Sequence, residues 1–232
     1  MSVTHERCVN TTVVVPALNS QASLDAVLGK LPPTVQVIVV DDGSSPPLSA
    51  APPRTSTGVT HVTLIRHATN RGYGAAQKTG YAAALEGGAE RVVLLHGDDQ
   101  YDAADTLALA DALADTPAAL GSRFLMDPGV IPGWRRVGNR ALTGLANLRF
   151  GTQHTELHSG ARAFTTALLR SLPLSSYSDD YLFDQQVLCA ILRAGHTIAE
   201  RPVRVRYDDT VQSISLRRSI TYGVGCVREI LR

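Results

Sequence analysis

Four apolar residues, Val92 to Leu95, run straight into His96, Gly97, Asp98, Asp99 and Gln100. The run has the composition of a buried strand, and its end is a cluster of cation-binding side chains. Asp98 and Gln100 offer hard oxygen donors suited to Mg²⁺ or Mn²⁺ on a diphosphate. A neutral imidazole at His96 also ligates divalent ions, and its nitrogen favours Mn²⁺. A second acidic pair, Asp41 and Asp42, ends another apolar run just before Gly43 and Ser44. A carboxylate there either accepts hydrogen bonds from a nucleobase edge or ribose hydroxyls, or caps a turn. Carboxylates on one rim repel each other unless a cation or donor groups offset them.

Arginines form the other chemical group. Arg123, Arg135, Arg136, Arg140 and Arg149 stand against a single acid, Asp127, with Trp134 among them. Guanidinium groups suit bidentate phosphate binding. Arg123, Arg136 and Arg162 are the candidate anion site, whereas Arg140 and Arg149 fit a solvated helix face. The stretch SDDYLFD adds Asp179, Asp180 and Asp184, of which the first two also suit a helix cap.

These groups need elements to hold them. TTVVVPAL (11–18), VQVIVVDDG (35–43), HVTLIRH (61–67), the run ending at Asp99 and AALGSRF (118–124) read as strands. Between them, 23–31, 73–88 and 105–115 carry apolar residues at helical spacing, with Ser23 as an N-cap, a Gly-Gly stop at 87–88 and acidic residues opening the third. Residues 44–58 read as an irregular connection. Continuous apolar strands alternating with helices predict an α/β fold, a mainly parallel sheet with helices on both faces. Ligands of such sheets bind beyond the carboxyl ends of the strands. That rule brings Pro16–Asn19, Asp41–Ser44, Asn70–Gly74 and His96–Gln100 to one rim. Further on, the spacing predicts helices at 133–151, 165–172 and 181–195 and strands at 159–164 and 198–207.

The chain has 232 residues, 44% apolar and 19% charged, which fits a globular protein with a substantial core. No apolar run approaches a membrane span, and the first ten residues lack a signal pattern. Cys8, Cys189 and Cys226 are too few and too scattered for a disulfide framework or a zinc site, and point to a reducing compartment. Residues 1–120 hold 7 Lys/Arg and 12 Asp/Glu; residues 121–232 hold 15 and 9. An acidic half suits a cation and a basic half suits phosphates or an anionic surface, but the balance is too weak for nucleic acid. With no clear linker, 1–232 reads as a single domain, 1–122 and 123–232 being its two halves.

PALN (16–19), VDDGS (40–44), NRGYGAAQKTGY (70–81), LHGDDQYD (95–102), SGARAF (159–164) and AGHTIAERPVRVRY (194–207) occur in order. Together they resemble family-2 glycosyltransferases of the GT-A fold, in particular polyprenol-phosphate (dolichol-phosphate type) sugar transferases, over roughly residues 10–215. The resemblance implies a cytoplasmic, inverting glycosyltransferase that uses a nucleotide-diphosphate sugar and Mn²⁺ or Mg²⁺. It places Pro16, Ala17, Leu18 and Asn19 against the base and ribose, and Asp41 on the base or ribose with Asp42 nearby. Gly72 and Gly74 would let the backbone approach the donor, with Gly97 and Asp98 also at the donor. Lys78 would face either the pyrophosphate or solvent. Family members commonly read Asp-Ala-Asp-Gly-Gln where this chain has His96-Gly97-Asp98-Asp99-Gln100. Asp98 keeps the metal-binding position and His96 replaces the first acid, so the expected metal set is His96, Asp98 and Gln100. Arg162 falls on a phosphate-contacting arginine, and Asp184 on a position near the acceptor.

The acceptor decides the catalytic need. A lipid phosphate is already an anion and requires positioning and charge neutralisation; a hydroxyl requires a base, for which Asp180 and Asp184 are the candidates. A polyprenyl-phosphate acceptor leads, followed by a soluble hydroxyl acceptor such as a small metabolite, then a nucleotide-sugar-binding module of low turnover. A nucleotidyltransferase would carry a Gly-rich basic loop after the first strand, and PALNSQAS is not one. The tail, Arg217 to Arg232, mixes apolar residues with arginines. It rests on the inner face of an anionic membrane as a peripheral contact, packs on the domain or makes a homodimer contact.

Overall fold

The computed structural model describes residues 11–50, 61–127, 131, 133–206 and 216–232. Cys8, the part of the irregular connection from 51 to 58, and Tyr207 at the end of the expected last strand lie outside the described residues.

Seven strands form one sheet: β1 (Thr11–Ala17), β2 (Gln36–Asp41), β3 (His61–Arg66), β4 (Arg91–Leu94), β5 (Ala118–Ser122), β6 (Arg162–Thr165) and β7 (Ile198–Pro202). Their order is β3-β2-β1-β4-β6-β5-β7. Only β6 runs against its neighbours, pairing antiparallel with β4 and β5; the other pairings are parallel. Both halves of the chain therefore build the same α/β sheet. Its faces are covered separately. α1 (Gln21–Lys30), α3 (Ala103–Leu107) and α4 (Leu109–Ala112) cover one, with Leu24, Val27, Leu28 and Leu109 packed on Val13, Val15 and Val39. α2 (Tyr73–Glu86), α5 (Gly133–Phe150), α6 (Thr166–Ser171), α7 (Leu182–Arg193) and α8 (Leu216–Leu231) lie on the other side, where Tyr81, Ala146, Phe183, Leu188 and Ile230 meet Val14, Val40 and Phe164.

Some boundaries depart from the sequence reading. α1 begins at Gln21, so Ser23 lies inside the helix and does not cap it. The helix expected over 105–115 begins at Ala103, because the Asp102 carboxylate accepts the Asp105 amide at 3.0 Å as an N-cap. It then divides at Ala108, where the bonds tighten to Asp111 N–H on Ala108 O and Leu113 N–H on Ala110 O. The strand expected to run to 207 stops at Pro202 and resumes as one bridge, Tyr101 to Val205.

Parallel order carries the ends of β1, β2 and β4 to one edge. Ala17 pairs with Asp41, and Val14 with Leu94. β6 enters the sheet from that same edge, with Arg162 opposite Leu94. The turn at 159–161 is thereby brought against the residues that follow β4.

Candidate active site

Two open cavities line this edge. The smaller, about 490 Å³, is walled by Pro16, Ala17, Leu18, Asp42, Asn70 and Gly72, and by Asp179 and Asp180 opposite. The larger, about 780 Å³, is walled by His96, Tyr101, Arg123, His158, Gly160 and Asp184 at its inner end and by α5 and α8 farther out. Tyr73 and Tyr181 line both. Their rings stack at 5.3 Å and form the partition between the two spaces.

Asp41 and Asp42 divide their work. Asp41 is fully buried and off both walls. It accepts the Ser44 amide at 2.9 Å, the Leu48 amide at 3.1 Å and Arg66 Nη1 at 3.1 Å. Burial opposes its charge, but the Ser44 and Leu48 hydrogen bonds and Arg66 outweigh it and hold the carboxyl below its ordinary range. Asp41 thus builds the loop after β2, which displaces the expectation that it touches a base or ribose. Asp42 lines the smaller cavity, where its carboxylate accepts the Arg71 and Gly72 amides at 2.9 Å each and shares a 2.6 Å bond with His67 Nδ1. Asn19 is also a loop builder: its Oδ1 accepts the Ser45 amide and its own amide donates to Ser44 Oγ.

The glycines serve chain-to-chain approach. At Gly72, φ is +107° and a Cβ would lie 2.3 Å from Asp179 O. At Gly74 a Cβ would lie 2.6 Å from Ser178 O and 2.7 Å from Phe183 Cβ. Both positions let the start of α2 press against residues 178–183, so the expectation that Gly74 admits the donor gives way to packing against protein. Lys78 belongs to the same contact: its Nζ donates to Tyr177 O at 2.6 Å and pairs with Asp179 at 2.8 Å, away from both cavities. Gly97 is buried, and its amide donates to Pro16 O at 3.2 Å.

His96 lines the larger cavity, against the Tyr73 side of the partition. Its Nε2 and the Tyr73 hydroxyl are 2.6 Å apart, and its ring meets the rings of Tyr73 and Tyr101 edge-on at 5.3 Å each. Gly160 closes the remaining side; a Cβ there would lie 2.3 Å from Nε2. The outward nitrogen, Nδ1, faces Asp98 Oδ2 at 4.0 Å, while Asp98 Oδ1 accepts the Gln100 amide at 3.1 Å. With bond lengths of about 2.1 Å, two ligands of one ion lie about 3 Å apart when adjacent and about 4.2 Å when opposite, so a small side-chain adjustment lets this pair share a divalent cation. Among the described residues no three His, Cys, Asp or Glu side chains converge on one point. Two protein donors with a diphosphate completing the shell is a common arrangement for such ions. Asp98 and Gln100 lie beyond the walls of both cavities.

The arginines depart most from expectation. Arg123 is buried and its guanidinium is engaged by Glu156, which is itself wholly buried, and by His158 O at 3.1 Å. Its charge is thus spent inside the protein. Arg162, 2% exposed, donates from Nε to Ser159 O and from Nη1 to Asp184 O, both at 2.9 Å, and its Nη2 lies 3.3 Å from Asp184 Oδ2. It therefore supports Asp184 from behind instead of contacting a phosphate in the cavity. Arg136 is half-buried and off the cavity walls; Arg135 and Arg228 line the larger cavity instead. Helical phase within α5 would have distinguished Arg135 from Arg136, but only once the direction of the partner α8 was known. Asp184 faces the larger cavity with Oδ1 held by Gln77 Nε2 at 2.8 Å, whereas Asp180 faces the smaller one.

The sequence reading passed over Tyr73, Tyr181 and His158. His158 Nδ1 lies 3.1 Å from the Tyr222 hydroxyl, and its Nε2 is sealed from solvent with no hydrogen-bond partner among the described residues. Burial first, then the charges of Arg162 and Arg123, lower its pKa to about 3, so the ring is neutral at ordinary pH.

The wider comparisons agree with this architecture. The structure of glucosyl-3-phosphoglycerate synthase from Mycobacterium tuberculosis with uridine diphosphate superposes with a TM-score of 0.66, covering 95% of this chain and 78% of that one at 20% identity. This likeness establishes the GT-A fold. An uncharacterized protein of Methanocaldococcus jannaschii is 28% identical over 204 residues, 85% of this chain and 82% of that protein. The UDP-N-acetylglucosamine–dolichyl-phosphate N-acetylglucosaminyltransferase of Methanococcus voltae is 27% identical over 152 residues, 64% of this chain and 61% of that enzyme, so the match spans under two thirds of its length. The family model described as glycosyl transferase family 2 matches residues 12–172. With well over half of the chain inside that match, the protein belongs to glycosyl transferase family 2.

Proposed function

We propose that this glycosyltransferase moves a sugar from a nucleotide-diphosphate sugar in the smaller cavity to a polyprenyl-phosphate acceptor in the larger one. The observation that carries this reading is the pair of cavities meeting at Tyr73 and Tyr181, beside His96. Pro16, Ala17 and Leu18 flank the base and ribose, and the diphosphate points towards His96 and Asp98. His96 and Asp98, with Gln100 adjacent, would hold a divalent cation, Mn²⁺ or Mg²⁺, which when bound would supply charge neutralisation for the departing nucleoside diphosphate. Similar folds have been crystallised with Mn²⁺ or Mg²⁺ and uridine diphosphate. An acceptor phosphate oxygen, entering from the larger cavity, donates its electron pair to the anomeric carbon. The bond from that carbon to the diphosphate breaks on the opposite side, and configuration inverts.

Two features favour a lipid phosphate. Asp184, the acid facing the larger cavity, is already engaged by Arg162 and Gln77, whereas a phosphate needs no base. Trp134, Ile220 and Val224 are exposed and also line that cavity, beside Arg135 and Arg228. That combination suits an isoprenoid chain leaving towards an anionic lipid surface. No helix among the described residues is long and apolar enough to cross a membrane, so the contact proposed is peripheral. Arg135 and Arg228 also support a second reading, a small phosphorylated acceptor carrying a hydroxyl; a similar fold binds phosphoglyceric acid.

The test supplies labelled uridine and guanosine diphosphate sugars with either a short polyprenyl phosphate or 3-phosphoglycerate, plus Mn²⁺. Label passing into the organic phase with the lipid supports the leading reading. Label appearing only on phosphoglycerate transfers the case to the second. Nucleotide binding without transfer to either would reduce the protein to a binding module.

A further inference from the structure

Each of the two cation-facing side chains has one atom directed at the other and one tied elsewhere. Asp98 turns Oδ2 towards His96 while Oδ1 holds the Gln100 amide. His96 turns Nδ1 towards Asp98 while Nε2 meets the Tyr73 hydroxyl at 2.6 Å. An imidazole ligates a metal only through a nitrogen that bears no proton, and the hydrogen bond of the other nitrogen fixes which one that is. The carboxylate of an Asp-x-Asp site has no such requirement, so the need arises from the histidine in this chain.

We propose that Tyr73 is the positioning residue for the divalent site: its hydroxyl accepts the Nε2–H of His96 and leaves the Nδ1 lone pair to face Asp98. The inference rests on the metal reading above and deepens it. Ring rotation offers no substitute. A 180° flip about Cβ–Cγ would exchange Nδ1 with Cδ2 and Nε2 with Cε1, giving up the Tyr73 contact and turning carbon towards Asp98. The only adjustment left is which nitrogen carries the proton, and cation binding selects the form in which Tyr73 accepts. The two forms are tautomers of the same ring. Tyr73 itself is fixed as the first residue of α2, after the left-handed turn at Gly72, and by the stack on Tyr181.

The experiment removes one oxygen. Tyr73→Phe keeps both ring contacts and loses only the hydroxyl. Mn²⁺ affinity is measured by the electron paramagnetic resonance of free Mn²⁺, with uridine or guanosine diphosphate present, for wild type, Y73F, H96D and the double variant. Y73F should weaken Mn²⁺ binding about 10–100-fold, the range for losing a partner that orients a ligating histidine. In the H96D background, where a carboxylate needs no tautomer, Y73F should change affinity by less than about threefold, since the coupling has been removed. In wild type bound to Mg²⁺ and nucleotide, ¹⁵N-resolved spectra should show the His96 proton on Nε2. Equal Mn²⁺ affinity in wild type and Y73F overturns the inference and leaves the metal reading standing. Equal losses in both backgrounds also overturn it, because Tyr73 would then act only as packing. Absence of Mn²⁺ binding to wild type with either nucleotide overturns inference and metal reading together.

Discussion

Asp184 shows how much a single side chain can be asked to do. It faces the larger cavity, yet it is the counter-charge of Arg162, which is 2% exposed. Asp184→Asn leaves that guanidinium buried without its partner charge, which costs about 3–5 kcal/mol where a buried pair is broken. Urea titration of the variant should show a loss of that size. Below its melting temperature it should retain most transfer to a lipid phosphate, and should lose nearly all transfer if the acceptor is a hydroxyl that needs a base. His158 makes a separate prediction. Its folded pKa, about 3, lies below the ordinary 6.5. The unfolded chain therefore takes up a proton at this site as pH falls through 6.5, while the folded protein waits until about 3. Its contribution to stability is complete above 6.5 and is lost progressively towards 3. His158→Asn should flatten the fall in melting temperature across that window; an unchanged slope would mean that His158 is accessible to protons in the folded state.

At the scale of elements, the segment from Tyr177 to Phe183 is clamped to α2 by small residues and one lysine. Ala75 N–H donates to Asp179 O at 3.1 Å, Lys78 holds Tyr177 O and Asp179, and Gly74 leaves room for the Ser178 carbonyl. Because Tyr181 rides on this segment, the clamp sets the partition between the cavities. Gly74→Ala places a methyl against backbone that cannot yield, an overpacking worth about 1–3 kcal/mol. It should lower the melting temperature and shift donor and acceptor KM together, since both cavities share the displaced wall. The alternation of apolar strands with helices made the sheet and its rim legible from the sequence, because strand order in such folds follows from few rules. Glycines at 72 and 74 were legible as special positions, but their partners lie more than a hundred residues away. Spacing along the chain carries no record of that contact, nor of the pairings that neutralise Arg123 at the wall of the larger cavity and hold Arg162 behind it. Charge type shows where an arginine is, while its burial depends on Glu156 and Asp184 arriving from other elements. Tyr73 escaped for a related reason: an aromatic at a helix start gives no chemical signal until His96 is brought to 2.6 Å.

Across the whole molecule, the two halves converge on one edge with different materials. The first half gives strand ends and tight loops, and the smaller cavity draws Pro16 to Leu18, Asp42 and Asn70 from it. The second half gives long helices, and the outer wall of the larger cavity is the space between α5 and α8. α8 is held to α7 by Arg193, whose Nη1 donates to Glu229 Oε1 at 2.6 Å and whose Nη2 meets the Glu229 carbonyl. Cys226 and Ile230 bury the same face. That apolar face should keep α8 docked when the ion pair is removed, but with its tilt less defined. Glu229→Gln should therefore raise the acceptor KM on the order of tenfold, equivalent to about 1.4 kcal/mol, and leave the affinity for the nucleotide unchanged. Separate titrations of donor and acceptor would read this split. If the variant weakened nucleotide binding equally, α8 would be shaping the whole edge, and the division of labour between the halves would have to be abandoned.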